Sequence, residues 1–405
     1  MPDPAAAPSR RRGHVGLALA SLAVGGFAIG TSEFVTMGLL PEVASDLTVS
    51  IPSAGRIISA YALGVVVGAP LLAVLTARVG RIRLLLALMG AFAVGNVASA
   101  LAPSYLPLVV ARFVSGLPHG AYFGMASVVA ASLVDPARRG RAVAMPMLGL
   151  TIANVVGVPF SSFLGQHLGW RSAYVFAAGV ASLTVLLVWR QVPHVGAADG
   201  ASPRTEVSAL ARPQVWLTVL TGAIGFGGMF AVYSYVAPIL THTSGWSPSF
   251  VPVALAVFGV GMTAGTALGG RLGDWSVARA LLIGLAAQLA TLAVFPLVAP
   301  SRAGVLVALV VLGVVSSLTA TALQLRLMDV AGGDAAALGA SLNHSALNLA
   351  NASGAFVGGL VIEAGYGWTA PATVGAVMAA VGLALALTSL TTRHRAQTML
   401  EPEST

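Results

Sequence analysis

GAPLLAVLTARVGRIRLLLALMGAF, residues 68–92, is an apolar run, a short break carrying three arginines at LTARVGRIR (75–83), and a second apolar run. A bilayer core about 30 Å thick needs roughly 20 helical residues. The apolar windows on either side, 53–76 and 82–102, are each long enough to cross it. The break between them is too short for a domain and too basic for a membrane interior, so it reads as a tight loop at one membrane face. The rest of the chain supports this. Its 405 residues are 57% hydrophobic and only 8% charged, where soluble domains carry about 25% charge. So little charge cannot coat a water-facing surface, and the chain must face lipid.

Reading outward gives twelve windows: 15–40, 53–76, 82–102, 105–133, 141–166, 171–192, 213–240, 249–271, 279–299, 303–328, 335–362 and 369–391. The first is too long for a cleaved signal peptide and eleven more follow it. Arginine placement tests the count. With the N-terminus inside, seventeen arginines fall on the cytoplasmic side, only Arg56, Arg171 and Arg302 fall outside, and Arg112 lies within a span. That is a strong positive-inside bias, and it puts both termini in the cytoplasm. The polar segment 193–212 reads as a linker. The expected plan is an all-α integral membrane protein: a tail (1–14), a six-helix bundle (15–192), the linker, a second six-helix bundle (213–392) and a tail (393–405). The bundles resemble each other. GAPLLAVLTARVGR (68–81) aligns with GMTAGTALGGRLGD (261–274), pairing Gly68 with Gly261 at an offset of 193 residues. Asn154, Gly157 and Gly169-Trp170 recur as Asn351, Gly354 and Gly367-Trp368 at 197–198. A parallel duplication of a six-helix unit is the plan of alternating-access carriers.

Composition also excludes chemistries. There is no cysteine, hence no disulfide, thiolate metal site or cysteine nucleophile. Every basic residue is arginine, and a Walker A loop requires lysine. The net charge of +8 is spread over loops, which argues against nucleic acid. No metal, cofactor or catalytic cluster is expected, and the chain is expected to act as a monomer.

Charges within spans are therefore the informative residues. GTSEFVTMGLL (30–40) holds Glu33, the sole acid well inside a span, about 10 Å below the boundary by helical rise. Its desolvation there, a few kcal/mol, is similar to the cost of protonating a glutamate near neutrality at about 1.36 kcal/mol per pH unit. Its charge is thus switchable; a permanent salt bridge or a capping contact is the plainer reading. LVVARFVSGLPHGAYFG (108–124) places Arg112, Ser115, His119 and Tyr122 on one helical face, with Gly116, Gly120 and Gly124 alongside. Arg112 is read either as a functional charge or as a packing residue bound to carbonyls; His119 also fits a hydrogen-bonded core. GLTIANVVGVPFSSFLG (149–165) carries Gly149, Ala153 and Gly157 four apart, expected as a smooth strip against the facing half, with Pro159 as a kink.

These four stretches resemble the major facilitator superfamily, and most closely its twelve-helix drug/proton antiporters of the arabinose-efflux and chloramphenicol-efflux-like branch. The resemblance covers residues 13–392. It implies that Arg78, Gly80 and Arg81 belong to a cytoplasmic gate motif whose usual aspartate is replaced by Ala77, with Asp135 as one substitute acid. The same arginines also serve as topology determinants. It implies an antiporter motif at Gly149, Gly157 and Pro159, with Ser162 in place of a glycine, and proton coupling at Glu33, Arg112 and His119. It implies a central cavity lined by Tyr122, Asn154, Phe226, Phe230, Tyr233 and Asn348, for which aromatic packing is the alternative. The expected function is efflux of a small, mostly apolar molecule, such as a chloramphenicol-like drug or a metabolite, in exchange for protons. A proton-coupled carrier of sugars or nucleosides, and more remotely a membrane enzyme or receptor, are the alternatives.

Overall fold

A computed structural model describes residues 7–76, 79–135, 138–193, 210–332 and 336–398. Arg78, Ala77, most of the predicted linker and the ends of both tails lie outside the described residues. The first half comprises α1 (Ala7–Gly38), a short α2 (Leu40–Asp46), α3 (Ile51–Leu75), α4 (Arg81–Leu101) and α5 (Tyr105–Ser132). It is completed by α6, built from Arg139–Ile152, a π-turn at Ala153–Gly157 and Val158–Leu168, and by α7 (Arg171–Gln191). The second half comprises α8 (Pro213–Tyr233), α9 (Val251–Trp275), α10 (Val277–Val298), α11 (Arg302–Ala331), α12 (Ala336–Glu363) and α13 (Ala370–Thr398).

Among the described residues, eleven of these helices are long and apolar enough to cross a membrane. The twelfth long helix, α5, spans 28 residues and falls outside that set; it carries Arg112, Pro118 and His119. A helix satisfies its own backbone hydrogen bonds, which is what lipid demands. Its ends are set by local chemistry: Ser50, Ser276 and Ser301 accept from the amides of Ser53, Arg279 and Gly304. Gly169 and Gly332, at φ +85° and +87°, end α6 and α11. The seventh window is not one straight helix. α8 contains a π-turn at Thr221–Gly225 and gives way after Tyr233 to a helical turn at Val236–Pro238 and a second π-turn at Ile239–Thr243. Gly222, Gly225, Gly227 and Gly228 occupy this stretch, and π-turns of this kind are common at functional sites.

The repeat is more regular than the sequence alignment makes it. A Cβ on Gly64, Gly68 or Gly116 would collide with the carbonyls of Phe113, Leu117 and Tyr61, where α3 crosses α5. Gly261, Gly265 and Gly313 would collide with those of Val310, Val314 and Phe258, where α9 crosses α11. All six pairs stand 197 residues apart, as do the starts of α5 and α11 and of Asn154 and Asn351. Pairing Gly68 with Gly261 is therefore one helical turn out; Gly64 is the true equivalent. Glycines that recur every four residues look alike after a one-turn shift, and only the neighbouring helix fixes the register.

The halves meet through α3 against α12 and α6 against α9. At the end bearing the α1–α2 turn, one apolar core runs through both halves, joining Phe34, Met37 and Tyr174 to Phe230, Tyr233, Phe258 and Leu292. At the end bearing the termini, each half keeps its own core. The molecule is thus closed at one end and divided at the other. Two ion pairs among the described residues both lie at the closed end: Arg56–Glu363, 3.0 Å, joining the halves, and Arg171–Asp46. Arg171 and the Trp170 indole hold the Asp46 carboxyl below its ordinary value of 3.8. Arg326, counted from sequence among the loop arginines, is buried within α11 and reaches Ser389 of α13.

Candidate functional site

Glu33 sits on α1 where the two halves touch, 5% exposed. Arg112 (α5), Tyr61 (α3) and Tyr233 (α8) lie within electrostatic range of its carboxyl, and the amide of Asn351 (α12) approaches it from the second half. The residue beside it, Phe34, stacks on Phe230 (centroids 6.4 Å apart, planes 3° apart) and meets Tyr233 edge-on at 6.0 Å. Phe226 packs on Phe230 at 5.6 Å, and Tyr233 stacks on Phe258 at 4.2 Å. Phe226, Phe230 and Tyr233 are thus brought together beside Glu33, as a closed aromatic plug rather than as the lining of an open cavity.

Arg112 is fully buried, and its partners decide how Glu33 behaves. It donates to the Ser32 hydroxyl and to the Ser32 backbone carbonyl, both at 3.0 Å. The guanidinium also lies over the rings of Tyr61 and Tyr174, at 4.2 and 5.0 Å. Two hydrogen bonds to a charged group, about 1.5–3 kcal/mol each, and two ring contacts of about 0.5–2 kcal/mol each offset the few kcal/mol of burying an arginine at membrane depth. No carboxylate is needed. Neither ion pair among the described residues contains Glu33, so its carboxyl is not locked in a salt bridge. Arg112 lends it a nearby positive charge without pairing with it.

His119 lies about two turns further along the same face of α5. Its Nδ1 is 3.1 Å from the Tyr61 hydroxyl, and Phe123 beside it stacks on His344 of α12 at 5.5 Å, 2°. Tyr61, under Arg112 and bonded to His119, connects the two predicted residues.

Other predicted residues have different surroundings. Tyr122 donates to the Leu22 carbonyl at 3.0 Å within the first half's own core, so in this conformation it tethers α5 to α1. Asn154 and Asn348 each donate to the carbonyl four residues earlier, Leu150 and His344, at 3.0 Å, and each keeps a buried, unpaired Oδ1. The Gly149–Ala153–Gly157 strip is real, but its partner differs from expectation. A Cβ on Gly149 would strike the Ala23 carbonyl, and one on Gly157 would strike Thr31 and Phe27. The strip packs on α1 of its own half, because Gly26 and Gly30 offer it a reciprocal groove; the Asn154–Val155 backbone is what meets Gly259 of α9. Pro159 lies in the first turn after the π-turn. Gly80 caps α4 with open space around it. Asp135 makes no ion pair among the described residues. Ser32, Tyr61, Tyr174 and Asn351 are the contributors that sequence reasoning did not assign to the site. Only Ser32, adjacent to Glu33, and Asn351, the repeat partner of Asn154, left any signal.

Comparison with known proteins follows the same lines. The Major Facilitator Superfamily profile matches residues 22–346 and again 227–404, the second match beginning inside the first, as a duplicated unit allows. The chain belongs to this superfamily. It is 41% identical over 94% of its length to 97% of the "Inner membrane transport protein YdhP" of Escherichia coli strain K12. It is 35% identical, over 91% of its length, to 95% of the "Chloramphenicol resistance protein" of Streptomyces lividans. Among solved structures, a D-xylose–proton symporter superposes with a TM-score of 0.72 over 93% of this chain and 97% of the other, at 17% identity. That similarity establishes the facilitator fold. The site of this facilitator is unevenly shared between its halves: at the 197-residue spacing, Phe230 stands where the first half has Glu33, and Leu309 stands for Arg112.

Proposed function

We propose that this facilitator is a proton-coupled antiporter of the bacterial inner membrane, exporting a small, mostly apolar molecule by alternating access. The observation that carries the reading is Glu33: a buried carboxyl, not locked in an ion pair, at the contact of two halves that are closed at one end and divided at the other. A carboxyl that binds proton and cargo alternately gives exchange without any further device. Arg112 keeps the ionised form tolerable, the Tyr61–His119 pair continues the polar path along α5, and the Phe34–Phe230–Tyr233 cluster offers flat apolar surface to the cargo. The names of the relatives, an inner-membrane transport protein and a chloramphenicol resistance protein, favour export across that membrane.

The energetics suffice. A proton falling through 100 mV releases about 2.3 kcal/mol, enough for roughly a fifty-fold gradient of neutral cargo at about 1.4 kcal/mol per decade. The test uses the full chain in proteoliposomes with an imposed pH gradient and chloramphenicol as probe. Glu33→Gln, with an unchanged circular dichroism spectrum, is expected to lower gradient-driven movement at least about tenfold. Transport at the unaltered rate would sink the assignment.

A further inference from the structure

Three buried asparagines lie where the halves approach each other. Asn154 and Asn348 tie their amide nitrogens to the carbonyls one turn back, at 3.0 Å. Asn351 does not. It is fully buried, and apart from the Glu33 carboxyl that it approaches, neither its Nδ2 nor its Oδ1 has a hydrogen-bond partner. Burying an amide with both polar atoms unpaired is strongly unfavourable, and packing alone gives no reason to keep one at this position. The group it faces is the Glu33 carboxyl of the opposite half. The backbone beside it meets the first half, where Ser59 of α3 donates to the Ala352 carbonyl at 2.9 Å, and is steadied within its own half by Tyr235, which donates to the Ala355 carbonyl at 2.8 Å. Asn351 therefore belongs to the second half, whereas Arg112 and Tyr61 belong, with Glu33, to the first.

We propose that Asn351 is the positioning residue through which the second half senses Glu33: its amide bonds the carboxyl across the interface when this end is closed, and bonds it more strongly when the carboxyl is ionised. The inference rests on the reading of Glu33 as the proton site. An amide suits the task because Nδ2 donates to a carboxylate and Oδ1 accepts from a carboxylic acid, so contact survives both forms and only its strength changes. A hydrogen bond to a charged group exceeds a neutral one by an amount worth about five- to tenfold in an equilibrium. Losing the proton thus favours the closed end seen here, and gaining it loosens that end. The other groups facing Glu33 are Arg112 from α5, Tyr61 from α3 and Tyr233 from α8. From α7, the Tyr174 hydroxyl is bonded to Thr36 at 2.8 Å. α6 and α9 carry ionisable residues only near their ends: Arg139, Arg141, His167, Arg271 and Asp274. Of the groups near the Glu33 carboxyl, only Asn351 and Tyr233 belong to the second half, and Tyr233 is held in the aromatic stack.

The cysteine-free chain permits a direct test without cargo. Spin labels at Leu168→Cys and Ser249→Cys, one on each half at the closed end, report closure as a distance distribution in lipid nanodiscs between pH 5 and 9. In the otherwise unaltered chain the closed-to-open ratio is expected to rise about five- to tenfold from the acid to the alkaline end of the titration. Asn351→Ala and Asn351→Leu are expected to flatten that response while remaining folded, and Asn351→Gln, which retains the amide, to restore part of it. If Glu33→Gln flattens the response and both Asn351 variants keep it, the role of Asn351 is overturned and the proton-site reading stands. If Glu33→Gln keeps the response, or the unaltered chain shows none, the proton-site reading falls and this inference falls with it.

Discussion

Arg112 shows how a charge is kept at membrane depth without a counter-charge. Its guanidinium is used as a plane, lying over two tyrosine rings, and as a fork, reaching one serine by hydroxyl and carbonyl. A lysine can supply the charge but neither the plane nor the fork. Arg112→Lys is therefore expected to cost about 2–4 kcal/mol in stability, read as a lowered unfolding temperature in detergent. Tyr61→Phe, which keeps the ring but loses the hydroxyl bonded to His119, should cost less, about 1 kcal/mol. Equal losses in both variants would mean that the arginine is held by its charge alone. At this scale the sequence was half legible. Glu33 and Arg112 stand out because a charge within an apolar span is rare and expensive. Tyr61, Tyr174 and Asn351 stay hidden, because an aromatic or amide residue on an apolar helix carries no mark of its partner, and these partners lie on helices distant in sequence.

Among the elements, the glycine-bearing helix faces do most of the positioning. α3 on α5, α9 on α11 and α1 on α6 all approach closely enough that a single methyl meets backbone. Gly149→Ala sets a Cβ against the Ala23 carbonyl in a strip that has no slack. It is expected to destabilise the first half by about 1–3 kcal/mol, as overpacking does. Gly124→Ala, where a Cβ meets nothing within 4 Å, should be neutral or stabilising by up to about 1 kcal/mol, from helix propensity alone. Thermal unfolding of the two variants side by side checks the pair, and a Gly149→Ala protein as stable as its parent would show that α1 and α6 can slide apart freely. The helices themselves were plain in the sequence, since length and apolarity define them. Which helix each glycine face meets was not: the face of α6 was expected to meet the other half, and it meets α1. Periodicity locates a face but says nothing of its neighbour.

For the whole molecule, the closed end is secured by two kinds of contact of different size. The Arg56–Glu363 pair spans the halves, but its side chains are 44% and 47% exposed, and ion pairs in such a setting contribute only about 0.2–1 kcal/mol. The shared apolar core beneath it is far larger. Glu363→Gln is accordingly expected to shift the open–closed balance by no more than about fivefold, measured with the same pair of spin labels, and to leave the fold intact. A complete opening would mean that the ion pair, not the core, holds this end. The twofold plan was legible from repeated glycines and asparagines. The conformational state was not, because which end is closed depends on contacts between helices distant in sequence.

The uneven division of charge has a further consequence. With Phe230 and Leu309 standing where the first half has its acid and its arginine, the duplicated unit offers the proposed cycle one ionisable carboxyl rather than two. In the proposed cycle, exchanging one proton for an uncharged solute carries one unit of current inward per turnover, so voltage alone drives it. Exchange for a monovalent organic cation is electrically silent and responds only to the difference in acidity. The molecule's choice of driving force would then be dictated by its passenger.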